Sequence, residues 1–294
     1  MLKKMVALSA AALLGLAGLT GCTSGEVGAN SSNAGTGSAA GDTNSTPELT
    51  GTLVMSGSTS METVCGALNE AFGAKHPNLT IDLQATGSGA AITALNDGTA
   101  QIGNLSRAVK DSENPDGKYE AITIALDGIA VIVHKDNTAA DLTSEQLASI
   151  FQKEVTNWKD VGGPDKAITV IGRETGSGTR DGFEEVVGVA DECQYDATLD
   201  STGAVVARVA SDEGAIGYVS FASVGEGVKA LKVGGVAPSE STIADKTYVI
   251  QRPFVHAYLK DTKDTRVQAY IEFLKTDEAQ NIIRDSDLVP QKFW

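Results

Sequence analysis

The chain reads as an α/β protein, and three observations predict it. Strand-like and helix-like segments alternate from residue 53 to residue 276. Three of the helical segments open at a Gly beside a hydroxyl residue, directly after a short apolar run. The stretch from Glu48 to Trp294 is long enough for one large core or for two lobes.

The elements follow in order. Leu53-Val54-Met55 is a short buried strand. A helix is expected from about Ser60 to His76, stopped by Pro77. Leu79 to Leu83 alternates in polarity as a strand does. Ala90 to Asp97 is helical and ends at Gly98, and Gln101 to Asn104 is a short strand. Ile129 to His134 is apolar and β-branched, the mark of a central strand. Ser144 to Phe151 is a helix with Thr143 as N-cap and Gln146 completing a capping box. Ile168–Ile171 is a strand, Gly178–Val187 a helix, Ala215–Val219 a strand and Asp264–Thr276 a helix. No repeat of fixed length recurs along the chain.

The first 47 residues have a different character. Lys3 and Lys4 precede an apolar run from Met5 to Leu19, too short for a comfortable membrane span of about 20 residues. Small residues then lead to Cys22, so residues 1–21 are expected to be a secretory signal. Leu19-Thr20-Gly21-Cys22 resembles the bacterial lipobox, which implies lipidation of Cys22 and loss of the preceding peptide. Thr23 to Pro47 is almost entirely Gly, Ser, Thr, Ala and Asn, a composition that buries little and suits a tether between a lipid anchor and a folded domain.

Charge narrows the partners. The whole chain carries a net charge of −15. Without residues 1–21 it has 21 basic and 38 acidic residues, a net −17. A duplex phosphate backbone would be repelled, so nucleic acid is excluded as a partner. A small anion must then be held by local dipoles and a few buried cations rather than by long-range attraction. Beyond Cys22 only Cys65 and Cys193 remain, far apart in sequence and expected as isolated thiols. His76, His134 and His256 show no ligand spacing, so neither metal nor cofactor is expected.

The chemistry-bearing feature is the recurring junction. Ser56-Gly57-Ser58-Thr59-Ser60 follows the first strand, Ala85-Thr86-Gly87-Ser88-Gly89 the second, and Glu174-Thr175-Gly176-Ser177-Gly178-Thr179 the strand at 168–171. A helix start exposes unpaired N–H groups and a partial positive charge. Gly permits close approach and the hydroxyls add short donors, so such turns bind anions without Lys. A single turn of this kind is ordinary N-capping; three at strand C-terminal ends, where open α/β sheets bind ligands, point to an oxyanion. Arg173 and Arg180 flank the third turn, and Arg107 follows Ser106 after the strand at 101–104. The planar guanidinium fork suits oxyanions, although a lone Arg is more often a surface ion pair.

On these residues the chain resembles the substrate-binding component of bacterial phosphate ABC transporters. Arg173-Glu174-Thr175-Gly176-Ser177-Gly178-Thr179 is similar to that family's Arg-x-x-Gly-Ser-Gly-Thr phosphate loop. Gly57 to Ser60 resembles its first loop, Gly87-Ser88-Gly89 its second, and Ser106-Arg107 its Ser-Asp or Ser-Arg pair. Asp127 to Val133, Phe151 to Trp158 and Gly214 to Val219 extend the likeness, which spans about residues 52–290.

The resemblance implies a two-lobed, periplasmic-binding-protein-like (type II) fold with a two-strand hinge. One lobe would comprise 48–126 and 253–294, the other 127–252. It implies high-affinity capture of inorganic phosphate, without catalysis, by a monomer anchored on the extracellular face of the cell membrane. The captured anion would pass to an ABC permease and ATPase complex. Ligand contacts are implied for Ser58, Thr59, Ser60, Ser88, Ser106, Arg107, Arg173, Ser177, Gly178, Thr179 and Arg180, with Arg107 either on the phosphate or paired with an acid. Many members carry an Asp where Arg107 stands here, to accept the proton of phosphate and so reject sulfate; Asp127 at the hinge is the substitute acceptor. Two alternatives stay open. The same fold would serve another oxyanion, such as sulfate or molybdate. The other is a secreted serine or phosphoester hydrolase, but no Gly-x-Ser-x-Gly elbow surrounds Ser58, Ser88 or Ser177, and the turn at 176–182 lacks the P-loop Lys.

Overall fold

The computed structural model describes residues 48–294. The expected signal segment, Cys22 and tether therefore lie outside the described residues.

Strands and helices alternate through the first half: β1 (Gly51–Gly57), α1 (Glu62–Lys75), β2 (Leu79–Ala85), α2 (Ser88–Asn96), β3 (Ile102–Leu105) and the long β4 (Tyr119–His134). Then follow β5 (Asp141–Leu142), α3 (Ser144–Phe151), β6 (Thr169–Arg173), α4 (Gly178–Val187), β7 (Ala197–Leu199), α5 (Thr202–Ala210) and β8 (Ala215–Ser220). The chain closes with β9 (Val228–Ala230), β10 (Lys232–Val233), α6 (Glu240–Ala244), β11 (Gln251–Leu259), α7 (Thr265–Leu274), α8 (Asp277–Asp285) and β12 (Val289–Pro290).

One mixed sheet runs β2-β1-β3-β11-β4-β8-β6-β7. β1 lies parallel to β2 and β3, and β6 parallel to β7 and β8. Between these parallel sets stand β4 and β11, paired antiparallel with Asp127 opposite Arg252. The first half of β4 pairs with β11 and its second half with β8 and β9, so a single strand passes from one lobe to the other. Each lobe has its own apolar core. Leu53, Met55, Phe72, Phe254 and Tyr270 pack on one side of β4 and β11; Phe151, Trp158, Phe183 and Tyr218 pack on the other.

Local sequence explains most boundaries. Thr143 accepts from the Gln146 amide at 3.2 Å and Gln146 Oε1 accepts from the Thr143 amide at 2.9 Å, the expected capping box. The segment expected as a helix from Ser60 divides in two. Ser58 caps a short 3-10 turn over Thr59–Met61, and α1 starts only at Glu62. β4 extends ten residues ahead of the expected Ile129–His134 because Tyr119 to Gly128 find partners on β11. β11 itself is hidden in the sequence by Pro253, which faces Leu126 in the register and which argues against a central strand when read locally. Cys65 lies buried on α1 and Cys193 is partly buried, and neither is in a disulfide.

Candidate functional site

The hydroxyl-bearing turns meet between the lobes. Ser58 Oγ donates to Ser106 Oγ at 2.8 Å, and Ser106 Oγ stands 3.3 Å from Ser88 Oγ. The Ser106 amide donates to Ser88 Oγ at 3.1 Å. From the other lobe, Thr179 Oγ1 lies 2.9 Å from Ser60 Oγ. Every one of these side chains is buried.

Capping geometry differs between the turns. Gly87, not Ser88, is the N-cap of α2, so the Ser88 side chain is not spent on its own helix. Ser177 does cap α4, accepting from the Arg180 amide at 3.4 Å. Gly178 lies close against the hydroxyls of the facing turns. A Cβ there would fall 2.5 Å from Ser88 Oγ and 2.8 Å from Ser106 Oγ, so any larger residue would fill the space the hydroxyls surround. The Gly89 amide donates to the Gly176 carbonyl at 2.9 Å, a backbone contact across the cleft.

Thr202 and Arg252 join the cluster without having been expected there. Thr202 Oγ1 is 3.0 Å from both Thr59 Oγ1 and Ser60 Oγ, and the Thr202 amide donates to Thr59 Oγ1 at 3.2 Å. Arg252 Nη1 donates to Thr179 Oγ1 at 2.6 Å. A signal for Thr202 exists in the sequence: Ser201-Thr202-Gly203 repeats the hydroxyl-then-Gly start of a helix. It is obscured because β7 ahead of it is only three residues long and half-exposed.

Arg173 supplies the charge. Its side chain is 2% exposed, with Nη1 directed at Thr202 Oγ1 at 3.3 Å. Nε and Nη2 are engaged by Glu174, at 2.8 and 2.9 Å. One face of the guanidinium is thus fixed by a carboxylate and the other is turned to the hydroxyls.

Three expected contact residues face other partners. Arg107 donates to both Glu113 oxygens at 2.8 and 2.7 Å, and its Nε lies 2.9 Å from Asp181 Oδ2. Arg180 donates to Glu184 Oε1 at 2.8 Å and to the Arg173 carbonyl at 3.2 Å, and its guanidinium lies over the Tyr195 ring. Asp127 is fully buried. One of its oxygens accepts from Ser220 at 2.8 Å and the other from Arg252 Nε at 3.0 Å. Burial raises the Asp127 carboxyl above the ordinary range, against the pull of Arg252 and its hydrogen bonds. Asp127 therefore reaches the cluster through Arg252 and Thr179.

Comparison with known proteins accounts for this arrangement. Residues 36–278 match the model of the PBP superfamily domain. The phosphate-binding protein PstS of Bacillus subtilis (strain 168) is 31% identical over 246 residues, covering 83% of this chain and 82% of that protein. PstS of Staphylococcus haemolyticus (strain JCSC1435) is 31% identical over 252 residues, covering 80% and 79%. The chain belongs to the PstS family.

Solved PstS-like structures agree with the fold. A Clostridium perfringens protein, described as a phosphate ABC transporter substrate-binding protein with bound phosphate, is 38% identical with a TM-score of 0.79. It is covered in full by 82% of this chain. An ABC-type phosphate transport receptor from Vibrio cholerae is 34% identical with a TM-score of 0.69, covered in full by 81% of this chain. Within the PstS frame the hydroxyl cluster stands in the cleft between lobes, at the C-terminal ends of β1, β2, β6 and β7, where open α/β sheets take their ligands. Among the described residues no helix is long and apolar enough to cross a membrane.

Proposed function

We propose that the protein captures inorganic phosphate, non-covalently and without turnover, for delivery to an ABC importer. The observation that carries this reading is the chain of contacts Arg252–Thr179–Ser60–Thr202–Arg173, which rings a cleft with hydroxyls and ends in a guanidinium at each side. Such an array offers many short donors to a small tetrahedral anion and little to a larger substrate. Family membership and the phosphate-bound Clostridium relative support the same choice.

The binding residues in this reading are Ser58, Thr59, Ser60, Ser88, Ser106, Arg173, Ser177, Gly178 and Thr179, joined by Thr202. Asp127 and Arg252 act behind them. The lobes would be 48–126 with 253–294, and 127–252, because β4 and β11 pair Leu126 with Pro253 and Asp127 with Arg252. The protein would work as a monomer held on the extracellular face of the cell membrane through a lipidated Cys22.

A second reading has one specific observation in its favour. Both oxygens of Asp127 and both of Glu174 are engaged by arginine or serine, so neither carboxylate is turned to the cluster as a ready acceptor for the phosphate proton. A cage of donors alone would also suit sulfate. Titration calorimetry on ligand-stripped protein with phosphate, arsenate, sulfate and molybdate decides both questions. Stoichiometric heat with phosphate is expected; its absence sinks the first reading, and sulfate binding of equal strength establishes the second.

A further inference from the structure

We propose that Arg107 and Asp181 form a latch across the cleft which favours closed over open lobes, with or without phosphate, and so sets how long the phosphate-loaded state lasts. The proposal rests on the phosphate reading above. Arg107 follows Ser106 directly and belongs to the lobe of β1 to β3; Asp181 sits in the first turn of α4, two residues after Thr179. Arg107 Nε lies 2.9 Å from Asp181 Oδ2, and Lys110 Nζ lies 2.7 Å from the same oxygen. A cage residue of each lobe, Ser106 in one and Thr179 in the other, thus stands within two residues of an ion pair that spans the cleft.

Arg107 is set in advance by its own lobe. Glu113 grips both Nη groups, and the Ala108 carbonyl accepts from Nη1 at 2.9 Å. Glu113 Oε2 also accepts from the Lys110 amide at 3.0 Å. Burial raises the Glu113 carboxyl, but the bonds from Arg107 and Lys110 outweigh this and hold it below its ordinary range, so it stays charged. A guanidinium fixed in this way loses little freedom when Asp181 arrives. The pair is also sheltered. The side chains of Arg107 and Asp181 are 8% and 26% exposed, where an ion pair is screened less than at an open surface.

The latch makes a prediction opposite in sign to simple electrostatics. Asp181 is an anion near the binding cleft of another anion, so its neutralisation alone would tighten phosphate binding. As a latch, its neutralisation loosens binding by hastening reopening. The test measures phosphate affinity by calorimetry and phosphate release by stopped flow for the wild type, Asp181→Asn, Arg107→Met and the double variant. Asp181→Asn should weaken affinity roughly tenfold, in the release rate, with the association rate changed less than about twofold. The double variant should be no weaker than the worse single one, and the effect should shrink in high salt. Equal or tighter binding by Asp181→Asn, or multiplicative losses in the double variant, overturns the latch. Small-angle scattering of the ligand-free proteins judges it independently of phosphate: Asp181→Asn should be the more open, and an unchanged radius of gyration counts against the proposal. If the wild type gives no heat with phosphate, the phosphate reading fails and scattering alone decides the latch.

Discussion

Residues 58–106 and residues 173–202 build the two halves of the cage in different ways. The first half brings Ser58, Thr59, Ser60, Ser88 and Ser106, all neutral, and the one cation beside them, Arg107, is turned to Glu113 and Asp181. The second half brings Arg173 together with Thr179 and Thr202, and the guanidinium arrives already bound to Glu174. Neutral hydroxyls can be buried against one another at modest cost, because each finds a partner. A buried cation cannot be left unpaired, so each Arg near the cleft has a carboxylate behind it. The lesson is that the charges around the cage nearly cancel among its own residues. That suits an acidic protein with net charge −15, which cannot draw anions from afar and must hold them by short contacts.

This contrast breaks most sharply at Arg173. Arg173→Ala should weaken phosphate binding at least about 100-fold by calorimetry, since the anion loses its charge-assisted donor. An unchanged affinity would mean that the neutral half alone carries binding. Gly178→Ala comes next, with a loss of roughly 30-fold expected, because the added methyl enters the space between Ser88 and Ser106. Its melting temperature should stay within a few degrees of wild type, which separates blocked binding from unfolding. Thr202→Val should cost about tenfold in affinity, the worth of one buried hydroxyl that links the halves.

The smallest effect concerns the frame under the neutral half. His256 on β11 stands opposite Asn104 on β3, whose carbonyl accepts from the Ser58 amide at 2.8 Å. Burial pushes its imidazole down to about 3. The unfolded chain binds a proton near pH 6.5 that the folded protein refuses. Stability is therefore complete above that pH and falls as pH drops toward 3. The loss between pH 6.5 and 5.5 should be about 1 kcal/mol. Urea titrations should show this slope in the wild type and a flatter one in His256→Phe; equal slopes would remove His256 as the cause.

Much of the fold and of the site is legible in the sequence. The α/β alternation, the capping box at Thr143 and Gln146, and α3 and α4 to the residue are local matters, decided by periodicity and by side chains three or four positions apart. The hydroxyl turns are visible for the same reason, since a helix start and its cap lie within five residues of one another. α5 and α8 escape because neither follows a clear apolar strand, and β11 because Pro253 interrupts it.

What the chain alone determined is the supply of parts: Gly and hydroxyls at helix starts, an Arg beside one of them, and an acidic background. The tertiary structure decided which arginine serves which partner. Arg107, Arg173 and Arg180 look equivalent in sequence, each next to a hydroxyl turn. Only the pairing of β4 with β11 and the docking of α4 against the turn after β3 place Asp181 on Arg107, Asp127 on Arg252, and leave Arg173 facing Thr202. A guanidinium follows whichever carboxylate burial brings within reach, and partners up to 125 residues apart in sequence cannot be assigned by any local rule.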